Sequence, residues 1–194
     1  QNQQGFTLLE MLGALIIIGM MLYALTDVWQ QGSRMAEQAQ AAWHIKTVND
    51  ATERYIKQNY ETLLSSSSAS SGPQITIEDL LDADLLPEGF QDSNVWGQSY
   101  EIYIRRPQDN TLSSVILTTG GREHEEGDSF ATLSVPGAAL RIGGAGGFVP
   151  TGDMAGQSAD TLHGTAGGYV LDLASIGIAS PGPGHLGMYS AFDD

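Results

Sequence analysis

The chain has 194 residues, enough for one ordinary domain with an extension, and its 41% hydrophobic content is sufficient to bury a core. Eight Lys and Arg stand against 23 Asp and Glu, a formal net charge of −15. That balance argues against a phosphate-binding surface for nucleic acid and against docking on anionic lipid through a basic patch; the excess acid reads first as a device for solubility. With no cysteine, neither a disulfide nor thiolate chemistry is available.

The first residue is Gln1 and not Met, which implies that something upstream has been removed, and no Lys or Arg occurs before Arg34. From Phe6 to Leu25 the chain reads FTLLEMLGALIIIGMMLYAL, twenty residues with a single charge. A helix needs about that length to cross a hydrocarbon core of ~30 Å, whereas a secretory signal has a shorter apolar part and is cut away. The single charge, Glu10, would cost about 2.5–3.5 kcal/mol at the centre of a bilayer, so it implies a partner or a use. Near a helix start it also suits the positive end of the dipole. Gly13 and Gly19 lie inside the apolar run. They allow close helix contact or local melting, or simply reflect the frequency of glycine in membrane helices.

The helical pattern continues past Leu25. Between Asp27 and Asn59 there is no proline, Gly32 is the single glycine, and MAEQAQAAW is rich in strong helix formers. Ile45, Val48, Thr52, Tyr55 and Ile56 then form an amphipathic stripe. The pattern predicts one helix over 6–59, ~80 Å long at ~1.5 Å per residue, apolar all round in its first half and with one greasy face in its second. Such a helix packs in lipid at one end and on its own domain at the other.

Ser65 to Gly72, SSSSASSG, followed by Pro73, reads as a flexible linker loop within 60–75. Thr76 with Asp79 resembles a capping box opening a short helix over 77–86, stopped by Pro87. Strands are expected at Tyr100–Arg106 and Leu112–Thr119, joined as a hairpin through Pro107 to Asn110, and again at Tyr169–Leu173 and Leu186–Phe192. GGAGG (Gly143 to Gly147) punctuates the middle. The expected fold class is therefore α+β, with an antiparallel sheet on the amphipathic half of the long helix. The head covers 76–194, and residues 1–5 form a leader remnant or N-terminal extension.

Few residues suggest chemistry. The run Arg122-Glu123-His124-Glu125-Glu126-Gly127-Asp128 reads as a solvated acidic loop, because adjacent side chains on an extended chain point to alternate sides and do not converge on a metal. GGAGG lacks the residues of a phosphate cradle, and His163 and His185 come without a nucleophile motif. No cofactor or metal is implied and an enzyme has no supporting residues. Glu78, Asp79, Asp82, Asp84, Glu88 and Asp92 fall in a stretch without Lys or Arg. They read as a solvated helix face, or alternatively as an acidic band that meets basic neighbours.

The run Gly5-Phe6-Thr7-Leu8-Leu9-Glu10 before an apolar helix resembles the prepilin peptidase motif of type IV pilins and type II secretion pseudopilins. The resemblance implies cleavage between Gly5 and Phe6, methylation of Phe6, and a role for Glu10 in neutralising a neighbour's N-terminal amine during assembly. The segments HIKTVNDATERYIKQNY, NVWGQSYEIYI, GGYVLDL and PGPGHLGMYSAFDD are similar to the pilin domain of PilV-type minor pilins of type IVb conjugative thin pili. The two resemblances together imply the type IV pilin fold and a structural subunit that waits in the bacterial inner membrane. Its partners would be membrane lipid, prepilin peptidase, an assembly platform, other pilins and copies of itself, with no nucleic acid. The subunit would then enter an extracellular filament for adhesion or conjugation. The chain stops at Asp194, where the long stalk and tip of such proteins would begin, which is expected to favour a shaft or accessory subunit over a tip adhesin. A low-copy minor pilin or tip adhesin subunit and a type II secretion pseudopilin are the alternatives.

Overall fold

The computed structural model describes residues 8–153 and 156–193. Helix α1 runs Leu8–Gln58, as expected of a stretch without proline and rich in helix formers. The chain divides into two compact units between Ala36 and Glu37. In the first, the described residues are all α-helical.

The second unit carries a seven-stranded antiparallel sheet made of β1 (Gln74–Ile75), β2 (Ser99–Gln108), β3 (Thr111–Thr119), β4 (Gly146–Phe148), β5 (Thr161–Gly164), β6 (Val170–Asp172) and β7 (Leu186–Asp193). Its spatial order is β1-β2-β3-β7-β4-β5-β6. The C-terminal strand is thus central, paired with β3 on one side and β4 on the other. The 37–58 part of α1 lays its stripe on one face. Ala41, Ile45, Val48, Ala51 and Ile56 are buried in one cluster with Ile102, Ile104 and Ile116 of the sheet. The other face is covered by the chain around β5 and β6, where Leu162, Leu173 and Ile178 pack on Val115 and Leu117. Strand β3 is therefore buried on both sides, which is why LSSVILT lacks a polar face of charges. The fold is α+β and pilin-like, a long N-terminal helix on a curled antiparallel sheet.

The β2–β3 hairpin forms in the expected place, with Tyr103 opposite Val115. Pro107 falls in the irregularity between Arg105 and Gln108, where the ladder needs no donor from it. Asn110 takes the left-handed conformation at the turn (φ 59). The capping box is also present: the Thr76 side chain accepts from the Asp79 N–H at 3.1 Å, and the Thr76 N–H donates to the Asp79 carboxylate at 2.7 Å. Helix α3 (Ile77–Asp82) ends at Asp82, however, and not near residue 86. Asp84 turns left-handed (φ 54), and the Leu85 N–H reaches back to the Leu80 carbonyl at 2.9 Å. That reversal puts Leu85 and Leu86 both inside, which a continued helix would not allow.

The segment expected as a loop over 60–75 is ordered by its own bonds. Helix α2 (Tyr60–Ser66) follows α1 and buries Leu63, and β1 pairs with β2. The serines bond locally: Ser66 Oγ donates to the Thr62 carbonyl at 2.8 Å, and Ser68 and Ser71 close a turn through backbone and hydroxyl bonds. Helix α4 (Val135–Ile142), entered through a π-helical turn over Phe130–Ser134, has no counterpart among the expected elements. GGAGG has a constructive part here. Gly143 caps α4 with φ 103, and a side chain on Gly146 would collide with the Ala139 carbonyl and Ile142, so β4 can lie against α4 only with glycine there.

Two substitutions test this packing. Ile102→Ala, at a fully buried site, should lower unfolding free energy by about 2–5 kcal/mol in urea titration; a loss under ~1 kcal/mol contradicts the core described. Gly177→Ala places a methyl at φ 68 against the Ser70 carbonyl. It should cost more than ~1 kcal/mol, and a neutral result would show that this turn yields.

Candidate functional site

The first unit exposes apolar side chains in every direction. Among the described residues, thirteen large apolar side chains from Leu8 to Trp29 are each more than half exposed. Leu15, Ile16, Ile17 and Ile18 are consecutive, and at 100° per residue they occupy most of the circumference. A helix apolar all round is stable in water only when other surfaces cover it. By length and composition this stretch is long enough to cross a membrane, and among the described residues none of its apolar window is buried.

Glu10 sits exposed in the first turn of α1, at the positive end of the dipole and next to Met11 and Leu12. A Cβ added at Gly13 or Gly19 would meet nothing within 4 Å, so nothing inside the chain requires glycine at either position. Gly5 and Phe6 lie outside the described residues.

In the second unit, α1 is fastened by polar contacts as well as by its stripe. Gln38 Nε2 donates to the Leu133 carbonyl at 3.2 Å, Trp96 Nε1 donates to Glu37 at 3.4 Å, and the Ser190 hydroxyl donates to Asn49 Oδ1 at 3.1 Å. His44 is buried between Phe90, stacked at 4.4 Å, and Tyr100, stacked at 5.4 Å. Its Nδ1 lies 2.9 Å from the Tyr100 hydroxyl, which fits a neutral imidazole accepting that proton. Burial lowers the His44 pKa from its ordinary 6.5, and pushes the Tyr100 hydroxyl upward. Across the sheet, the buried Arg105 guanidinium donates to the carbonyls of Ile176 (2.7 Å), Ile104 (2.9 Å) and Gly177 (3.3 Å). It ties the 174–178 turn to β2 through these carbonyls, and desolvation lowers its pKa.

The residues weighed for chemistry lie apart. Arg122 Nη2 is 3.5 Å from Asp128 and its guanidinium stacks on Phe130 at 4.3 Å, while His124 Nδ1 is 3.4 Å from the same carboxylate. His185 is buried with its ring nitrogens near the Gly182 and Gly120 carbonyls, and His163 is half-buried in β5. Among the described residues, no group of three or more His, Asp or Glu is placed to hold a metal. Glu78, Asp82, Asp84, Glu88 and Asp92 are all exposed, and Asp79 serves the capping box. A groove lined by Ala42, Trp43, Lys46, Thr47 and Asp50 of α1 and by Arg141 of α4 lies on the outer side of the head, where the sequence pattern marked no site. Trp43 interrupting the polar positions of the amphipathic stretch was the available signal; Arg141 gave none without α4 to place it.

A family model described as the bacterial shufflon protein, N-terminal constant region, matches residues 33–194. A second, the prokaryotic N-terminal methylation motif, matches residues 1–25. Shufflon protein A′, shufflon protein B and shufflon protein A of Escherichia coli are each 24% identical to the chain over 193 residues, covering 98% of it and 42%, 41% and 38% of their own lengths. The chain thus spans about two fifths of the length of these curated relatives. No solved structure matches it.

The His44 environment sets a pH dependence. The folded state disfavours the imidazolium, so the unfolded chain binds the extra proton first. Stability should be full above about pH 6.5, the unfolded value, and fall as pH drops from there toward the depressed folded value. Thermal melts of the detergent-solubilised chain between pH 7.5 and 5 should show this decline, and His44→Gln should flatten it. Equal slopes in both proteins would remove His44 as its source.

Proposed function

Because the chain belongs to the family of the bacterial shufflon protein N-terminal constant region and opens with a prokaryotic N-terminal methylation motif, we propose that it is a pilin-type structural subunit of an extracellular type IVb-like filament. The observation that carries the reading is the all-round apolar surface of α1 from Leu8 to Trp29 directly behind the GFTLLE run. Bacterial inner membrane lipid covers that surface first and neighbouring subunits cover it afterwards, each large side chain contributing about 1.5–3 kcal/mol on burial. Prepilin peptidase cuts between Gly5 and Phe6, the new amine is methylated, and an assembly platform extracts the subunit. Glu10 becomes the fifth residue of the processed chain and pairs with the N-terminal amine of the next subunit. Its contribution is register, since a carboxylate left in an apolar bundle penalises any other stagger. Gly13 and Gly19 permit close helix approach in that bundle. The filament serves adhesion or conjugation.

A second reading is favoured by the relatives. The same 193 matched residues make up between 38% and 42% of proteins that differ in length, and the matching family is described as a constant region. In that reading the chain is the constant base of a low-copy subunit that presents a variable extension.

Filaments sheared from cells separate the two. A chain that dominates the fraction, with an intact mass beginning at methylated Phe6, is the shaft subunit; a chain that is scarce beside another dominant pilin is the low-copy subunit. A first residue of Gln1 would overturn the processing site. Glu10→Ala should reduce filament incorporation at least tenfold while the head keeps its melting temperature. Normal incorporation of that variant would remove the role assigned to Glu10.

A further inference from the structure

Strand β6 ends the sheet on one side, with no strand beyond it among the described residues. The Gly164 N–H donates to the Tyr169 carbonyl at 2.8 Å, and the Leu173 N–H to the Asp160 carbonyl at 3.2 Å. With Leu162 opposite Leu171, these bonds fix which backbone groups of β6 turn inward to β5. The N–H and C=O of Val170 and the N–H of Asp172 therefore point away from the sheet, while the Asp172 carbonyl accepts from the Ser175 hydroxyl. Lysine and proline, which commonly blunt such an edge, are absent from β6, and Val170 is 62% exposed.

A cleft runs beside this edge. Phe148 is opposite His163, and His163 is opposite Val170, so the three side chains share one face of the sheet. Gly146, two residues before Phe148 on that face, lies against Ile142 of α4. Leu140, 63% exposed, lines the cleft from the helix, and the Thr165–Gly167 turn lines it with Ala166 left-handed at φ 54. The volume is about 290 Å³. Within it His163 Nε2 is buried and has no hydrogen-bond partner among the described residues. A hydroxyl satisfies such a nitrogen in either tautomer, because it both donates and accepts.

Charge narrows the choice of occupant. No Lys or Arg occurs between residues 142 and 194, and Asp153, Asp160 and Asp172 are exposed. Arg141, next to Leu140, lines the groove on the α1 side instead. A second copy paired edge to edge would set its own Asp160 and Asp172 near these acids, which disfavours it. A cationic segment is drawn to the same edge.

We propose that β6 and the cleft beside it take an extended, positively charged peptide of another protein as an added strand, with a tyrosine laid across Val170 and a basic residue beside Asp172. Val170 and Asp172 are two residues apart on one face, so the peptide presents these two side chains with one residue between them. An added strand lies ~4.8 Å outside β6 and ~10 Å from β5, a gap that a tyrosine and the His163 ring span together. Main-chain bonds to Val170 and Asp172 supply attachment, and the cleft and the acids supply selectivity. The proposal goes beyond the pilin reading, and its failure leaves that reading intact.

The acetylated and amidated peptide Thr-Lys-Thr-Tyr-Thr-Lys-Thr is the probe, since it offers Lys two residues from Tyr in either strand direction. Titrated into the isotope-labelled full-length chain in detergent micelles, it should shift the resonances of Val170, Leu171 and Asp172 together with those of Leu140 and His163. Hydrogen exchange at the Val170 and Asp172 N–H groups should slow. The peptide with Glu in place of both Lys should bind at least about fivefold more weakly. Val170→Pro removes an outward donor and no inward one, so it should weaken binding at least about threefold while the melting temperature holds. If proline lowers the melting temperature, Val170→Lys at the same exposed position decides, and it should weaken binding as much. Shifts that bypass β6 or spare Leu140 and His163, equal affinity for the Glu peptide, or binding untouched by Val170→Lys overturn the proposal. So does the lack of any response at millimolar peptide. Exchange protection at Val170 that is present without peptide and rises with chain concentration shows a second copy on the edge, and overturns it as well.

Discussion

Among the described residues nothing covers the apolar surface of α1 between Leu8 and Trp29, and its removal from water is the condition on which the rest depends. No single neighbour satisfies a helix that is greasy on every side. Lipid does so around the whole circumference, and a bundle of like helices does so with the added demand that polar groups find partners. On the function proposed above, Glu10 would answer that second demand: where apolar burial is indifferent to sliding along the helix axis, one carboxylate would distinguish one stagger from the next. The same surface that makes assembly favourable would make it promiscuous without such a group.

The head solves a different problem, that of staying folded while attached to such a helix and without any disulfide. It places strand β7 in the middle of the sheet, paired with β3 along Gly187–Asp193 and with β4 at its start, Leu186 to Met188. It covers the sheet on both faces, α1 on one and the β5–β6 region on the other, and Arg105 clips the 174–178 turn to β2 through three carbonyls. The His44 sandwich and the Gln38 and Asn49 bonds then hold the 37–58 part of α1 to the loop at Phe90, the turn at Leu133 and strand β7.

The net charge of −15 takes on a second meaning in this setting. Excess acid keeps heads soluble, and the fold concentrates it: Glu78, Asp82, Asp84, Glu88 and Asp92 are exposed along α3 and the chain just after it, whereas Arg54, Arg105 and Arg106 are engaged by carbonyls of their own chain.

Much of this was legible in the residues, and the boundary of legibility is physical. The apolar span, the unbroken helix to Gln58, the stripe of Ile45, Val48 and Ile56, the Thr76–Asp79 capping box and the β2–β3 hairpin all rest on local signals, periodicity and turn chemistry, which act between residues a few positions apart. The type IV pilin resemblance of GFTLLE rests on a short contiguous run. The elements that escaped depend on distant partners. Strand β4 is two glycines and a phenylalanine, and it is a strand because Gly146 meets Met188 while α4 presses on it from the other side. Helix α3 stops at Asp82 because Leu85 and Leu86 both have places in the core, and the serine run is ordered because β2 offers it donors. The groove joins Lys46 to Arg141 from opposite halves of the sequence, so only the packing of α4 on α1 could create it. Sequence by itself determined the helix, its apolar half and the need for something to cover it; the tertiary structure decided which charges the head leaves exposed, because that depends on which of them the fold has already engaged.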